Sequence, residues 1–176
     1  MDRYVALLRG INVGGAKQIG MADLRGLFAS LGFTDVHTVL QSGNVVFDAE
    51  TRPDPAAIRA AITAATGVDA GIVLLDSGRF REVVAANPLL DVVTDPSRAL
   101  VTFVDSPVDD TASRRPSDAD LLPERIVFGG LAIYQWCPDG ISKSKLPAKF
   151  FAGLGVVATG RNLRTVEKLL ALLDAP

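Results

Sequence analysis

Two sets of polar residues carry the side chains of this chain that could hold a ligand. The first is the run Arg9-Gly10-Ile11-Asn12-Val13-Gly14-Gly15-Ala16-Lys17, with Ser42-Gly43-Asn44 expected beside it. The second joins Lys143-Ser144-Lys145 to Arg161-Asn162. Arg9, Lys17, Lys143, Lys145 and Arg161 supply positive charge, while Asn12, Ser42, Asn44, Ser144 and Asn162 supply short hydrogen-bonding groups. Gly14 and Gly15 let the backbone approach a bound molecule closely. A basic, glycine-rich loop between an apolar strand and an amphipathic helix suits anion recognition.

Lys17, Lys143, Lys145 and Arg161 all read as lying near helix starts. A helix N-terminus already carries partial positive charge, so a cation there is unfavourable by roughly 0.3–1 kcal/mol unless something negative joins it. A phosphate or carboxylate would satisfy both the free N–H groups and the side chains. Each residue also has a plainer reading. Gly10, Gly14 and Gly15 serve a turn, Asn44 forms a hairpin, and Lys143 and Lys145 are solvated or paired with Asp139.

Stricter motifs fail. Gly15 is followed by Ala16, Lys17 and Gln18, so the lysine register and the magnesium-binding hydroxyl of a P-loop are both missing. No Gly-x-Gly-x-x-Gly fingerprint begins at Gly10. His37, the sole histidine, sits on or beside a strand and builds no metal cluster by itself. Cys137, the sole cysteine, follows Trp136 at a strand end and reads as a buried thiol. Asp139-Gly140 is first a turn signal. No nucleophile and base are paired, so no catalytic residue is assigned, and neither a metal nor a cofactor is expected.

The elements that must position these residues follow from apolar periodicity. Tyr4 to Leu8 is a strand; Met21 to Leu31 puts Leu24, Leu27, Phe28 and Leu31 on one helical face before Gly32. Val36 to Gln41 and Val45 to Asp48 form a hairpin around Ser42-Gly43-Asn44. Asp54 and Pro55 open a helix that Gly67 closes, and Ile72 to Leu75 is a fourth strand. The order is βαββαβ, the split-βαβ arrangement of a ferredoxin-like unit.

A connecting helix spans about Ser77 to Asn87. The order then repeats: a strand at Leu100 to Val104, a short helix started by Ser106-Pro107, and a hairpin of Arg125 to Phe128 and Leu131 to Trp136 around Gly129-Gly130. A helix near Ser144 to Phe151, a strand at Val156 to Ala158 and a last helix complete it. In that last helix Leu163, Val166, Leu169, Leu170 and Leu173 share one face. The polar run Asp109 to Asp120 reads largely as loop. The expected fold is therefore α+β, two ferredoxin-like halves in tandem with a connecting helix and a C-terminal helix. Its boundaries are 1–76, 77–97 and 98–176.

With 176 residues, 48% hydrophobic, the chain can bury a substantial core. Its longest apolar runs are too short to span a bilayer, and Met1-Asp2-Arg3 runs straight into a strand, so no membrane partner and a cytoplasmic location are expected. One cysteine allows no internal disulfide, which fits a reducing compartment. A net charge of -2 argues against duplex DNA but leaves room for a local basic pocket. The sequence assigns no oligomeric state.

The chain resembles the DUF1697 family of uncharacterised bacterial proteins over nearly its whole length. The resemblance rests on Tyr4 to Gly15, Met21-Ala22-Asp23-Leu24-Arg25, Leu31 to Val36 and Gln41 to Phe47. Asn87-Pro88, Pro138-Asp139-Gly140-Ile141, Ser144-Lys145-Leu146, Arg161-Asn162 and Thr165-Val166 extend it. It implies an α/β structure with ferredoxin-like parts and brings no established activity. The chain departs from the family pattern at Gly160, where threonine is usual, and at Leu163, where tryptophan commonly follows the Arg-Asn pair.

The expected function is a binding protein for an anionic small molecule, a phosphorylated metabolite or nucleotide. Three alternatives stand beside it: a single-stranded nucleic-acid module, an enzyme acting on a phosphoryl or acyl group, and a protein-interaction module. The nucleic-acid reading needs exposed aromatic side chains on a sheet face, and Tyr4, Phe47, Phe103 and Tyr134 lie in apolar strands instead.

Overall fold

Strand β1 (Asp2–Leu8) is buried at every residue from Tyr4 to Leu8, as its continuous apolar run requires. In the computed structural model, which describes residues 1–15, 17–108, 110 and 115–175, it lies inside a four-stranded antiparallel sheet. The partners are β2 (Thr34–Val39), β3 (Asn44–Ala49) and β4 (Ile72–Asp76), in the order β2-β3-β1-β4. Helices α1 (Met21–Ser30) and α2 (Pro55–Thr66) join them, and α3 (Ser77–Ala85) follows.

A second antiparallel sheet contains β5 (Ala99–Val108), β6 (Arg125–Phe128), β7 (Gly130–Trp136) and β8 (Ala158–Asn162), in the order β6-β7-β5-β8. Helices α4 (Asp118–Leu121) and α5 (Leu163–Leu173) complete an α+β protein of two four-stranded sheets and five α-helices among the described residues. Counted from its own first strand, each sheet has the same strand order. Contacts divide the chain into two units, Met1–Arg81 with the residues from Lys168 onward, and Glu82–Glu167. No described helix is long and apolar enough to cross a membrane.

In the first unit, alternation along β1 sends Tyr4, Ala6 and Leu8 into a core with Phe28 of α1, Phe47 of β3 and Ile58 and Ile62 of α2. Phe47 is its centre, with Phe33 at 4.5 Å and Phe28 edge-on at 5.1 Å between ring centroids. Burying each such ring contributes roughly 1.5–3 kcal/mol. The expected ends of α2 are present: the Asp54 side chain accepts from Ala56 N, Pro55 is the first helical residue, and Gly67 takes the left-handed C-cap at φ 71°. In the second unit Leu121, Ile126, Ile133 and Phe150 form one buried cluster, Val101, Phe103 and Tyr134 are buried as well, and the Tyr134 hydroxyl donates to Val83 O at 2.6 Å.

Several local expectations are corrected. Leu31 is the C-cap of α1 and 38% exposed, so the apolar face ends at Phe28. No helix covers Ser144 to Phe151: three-residue and four-residue 3-10 turns at Ile141–Lys143 and Phe151–Leu154 flank Pro147, which disfavours the helical conformation before it. Ser106-Pro107 starts no helix, because β5 continues to Val108. The last strand lies later than expected, at Ala158–Asn162, after Gly155 turns at φ 74°. Within Asp109 to Asp120, residues 109 and 111–114 lie outside the described ones, and α4 begins at Asp118.

The β2–β3 turn uses Gly43 (φ 74°) and Leu40 (φ 57°) for its left-handed positions, whereas Asn44 already belongs to β3. A Cβ on Gly43 would stand 2.8 Å from both Leu8 Cβ and Ile11 Cδ1. Gly43→Ala therefore combines left-handed strain with overpacking against β1. It should lower unfolding free energy by about 2 kcal/mol or more, read as a lower denaturant midpoint at unchanged slope.

Candidate functional site

Register brings the first set of residues together. Leu7 of β1 and Val39 of β2 both pair with Asn44, so the loop after β1 and the β2–β3 turn occupy one end of the first sheet. Asn12, at φ 56°, ties them: its Nδ2 donates to Ile19 O at 3.0 Å and Gln41 O at 2.8 Å, while its Oδ1 accepts from Ile19 N at 2.8 Å. Asn44 is fully buried, and its Nδ2 donates to Val39 O at 2.8 Å and Ser42 Oγ at 2.9 Å. Asn12 thus holds the two loops to one another, and Asn44 braces the β2–β3 turn from within.

Lys17 does not flank a helix. It stands four residues before α1 at φ 51°, and its Nζ donates to Asp69 O at 2.9 Å. Asp69 itself is held below the usual carboxylate range, chiefly by its hydrogen bonds from Arg59, with Lys17 adding a smaller attraction. Gly14 and Gly15 are exposed, left-handed (φ 62° and 79°), and face open space. Arg9 is half-buried; its backbone N–H donates to Gly71 O at 2.8 Å, and among the described residues its guanidinium forms no hydrogen bond or ion pair. Arg9 is the cation that this loop offers.

In the second unit the residues separate. Glu124, 5% exposed, accepts from Gln135 Nε2, from Ser144 Oγ at 2.8 Å and from the Lys145 backbone N–H at 2.8 Å. Lys145 Nζ donates to Asp120 O at 3.0 Å and to Leu122 O, so it pairs with carbonyls rather than with Asp139. Lys143 is exposed on its 3-10 turn and has no such partner among the described residues. Glu124, Cys137, Asp139, Lys143 and Lys145 line a cleft of about 20 Å³, room for one water-sized group.

Arg161 lies on the other flank of this sheet. It pairs with Val101 across β5–β8, whereas Ser144 and Lys145 are held beside β6, with β7 and β5 between. The guanidinium is buried and donates to Thr159 Oγ1 at 2.6 Å and Gly160 O at 2.9 Å; burial pulls its pKa down to about 10. Asn162 caps α5, its Oδ1 accepting from Thr165 N and Thr165 Oγ1, each at 3.0 Å. Of the four cations expected at helix starts, only Arg161 flanks an α-helix. Leu163, at the position where the family commonly has tryptophan, is buried as the first residue of α5.

Glu124 and Gln135 are absent from the sequence-based set. The signal for Gln135 is its place inside the apolar run Leu131 to Trp136, since a buried amide needs partners. Glu124 gives no comparable signal before folding. His37 is an exposed strand residue whose Nε2 lies 2.8 Å from Asp35 Oδ1, a contact that helps hold the Asp35 carboxyl below its usual range. Tyr4, Phe47, Phe103 and Tyr134 are all buried, leaving none of these rings exposed for stacking on a base.

Two outcomes follow. Glu124→Ala leaves the Ser144 hydroxyl and the Lys145 N–H without their acceptor and the Gln135 amide with Ser144 Oγ alone, and should destabilise the protein by about 3 kcal/mol in urea titrations. The Cys137 thiol is pushed up to about 12, by burial first and the Glu124 charge second. It should therefore stay protonated and unreactive toward a disulfide reagent at pH 8–9, with labelling appearing only on unfolding.

Comparison with known proteins agrees with this architecture. Conserved bacterial protein SP0830 from Streptococcus pneumoniae has a similar structure, with a TM-score of 0.66 and 25% sequence identity over 98% of this chain and 99% of that chain. No curated protein matches the chain. Residues 1–134 match the family described as "Protein of unknown function (DUF1697)". With well over half its length in that match, the chain belongs to the DUF1697 family.

Proposed function

We propose that the protein binds an anionic small molecule, a phosphorylated metabolite or nucleotide, through Arg161. The observation that carries this reading is a guanidinium buried on β8, immediately before the capped N-terminus of an 11-residue helix. Taking a cation out of water disfavours its charged form, in keeping with the lowered Arg161 pKa. An incoming phosphate or carboxylate offsets that loss, and its attraction is stronger in the less polar surroundings than in water. In the first unit, Arg9 supplies a cation beside the left-handed glycines.

The two units are read as ferredoxin-like halves derived by internal duplication, supported by the shared strand order of the sheets. A cytoplasmic setting is supported by a single, buried cysteine.

The test is thermal denaturation of the wild type, Arg161→Met and Arg161→Lys with inorganic phosphate, nucleotides and sugar phosphates. A ligand at 100 times its dissociation constant adds about 2.7 kcal/mol, so a saturable rise of several degrees is expected for the wild type. Arg161→Met should lose the rise and Arg161→Lys keep part of it. Absence of a saturable shift with every anion would sink the reading.

A further inference from the structure

A larger hollow, of about 340 Å³, lies within the first unit and apart from the polar loops. Register fixes its place: Asp2 pairs with Ala49 at one end of the β1–β3 ladder and Leu7 with Asn44 at the other. The hollow is at the Ala49 end, the Arg9–Lys17 loop at the Asn44 end. Its volume falls within the range of small-molecule sites, roughly 300–1,000 Å³.

Its walls are of two kinds. Leu31, Phe33, Ala49 and Pro53 make the apolar part, Asp48 and Glu50 contribute carboxylates, and no lysine or arginine is among the lining residues, although Met1, which bears the α-ammonium, is one of them. The carboxylates differ. Asp48 is paired with Arg3, whose Nε stands 2.8 Å from Asp48 Oδ1 and whose Nη2 also reaches Oδ2 at 3.3 Å. Glu50 is exposed and forms no hydrogen bond or ion pair among the described residues. Helix α1 ends at this wall, with Leu31 as its C-cap, adding the negative end of a helix dipole. Phe33 is half-buried against Phe28 and Phe47, and it too lines the hollow.

A free carboxylate, a helix C-terminus and an aromatic ring all favour positive charge, and the aliphatic walls favour an apolar body. We propose that this hollow is a binding site for a small organic cation, a primary amine on an apolar body, with Glu50 as its counter-charge and Phe33 as its aromatic wall. It is a site separate from Arg161, so the two readings stand or fall independently.

The experiment is calorimetric titration of the intact chain with phenethylamine and with 3-phenylpropionate, whose charge is opposite on a similar frame. Backbone amide NMR shifts locate the site. Saturable phenethylamine binding is expected, with shifts centred on Phe33 and Glu50 and no binding of the carboxylate. The surface substitution Glu50→Gln should weaken the amine about tenfold or more, by removing one charge-assisted contact. Phe33→Leu should weaken it less. Three outcomes would overturn the proposal: no saturable binding of the amine, equal affinity in Glu50→Gln, or equal affinity for the carboxylate.

Discussion

One central strand in each sheet sets the register of the others: β1 between β3 and β4, and β5 between β7 and β8. Both carry buried runs, the apolar Tyr4 to Leu8 and the Val101 to Val104 stretch in which Thr102 is the one polar residue. A slip of one residue would turn every side chain of such a strand to the opposite face, so the register is strongly held. It brings the loop after β1 to the β2–β3 turn, through the shared partner Asn44. It also sets Arg161 opposite Val101 and Gln135 opposite Leu100, which sends the two polar side chains to different faces of the second sheet.

Given that frame, most short polar residues near the loops have internal work. Asn12, Asn44, Asn162 and Ser144 each join backbone or side-chain groups that would otherwise lose their water without replacement. A typical hydrogen bond contributes about 1 kcal/mol net, but a buried group left without a partner costs about 1–3 kcal/mol. That asymmetry explains why asparagine and serine collect at strand ends, independently of any ligand. Charged side chains behave differently, because an exposed lysine keeps its water and gains little from one geometry. Burial is what makes Arg161 distinct from Lys143.

Elements whose signals are local were legible in the chain. The Asp54–Pro55 start and Gly67 end of α2 require only their own residues, as does the Arg125 to Phe128 strand before Gly129-Gly130. The stretch from Ser144 to Phe151 was not, since its polar and apolar spacing suits a helix while Pro147 and the acceptor Glu124 favour turns. Glu124 and Gln135 are 11 residues apart in sequence and meet only through the pairing of β6 with β7.

The sequence by itself determined the α+β class, the two successive sets of strands, the family and the residue types able to meet an anion. These rest on periodicity, caps and turns, which act over a few residues, and on motifs read directly. Tertiary structure decided which of those residues remain available. Asn12 and Asn44 became clamps and Lys17 and Lys145 bonded to distant carbonyls, whereas burial on β8 sets Arg161 apart from them. Hydrogen-bond partners and solvent exposure depend on strands brought together across long sequence separations, and local spacing carries no record of them.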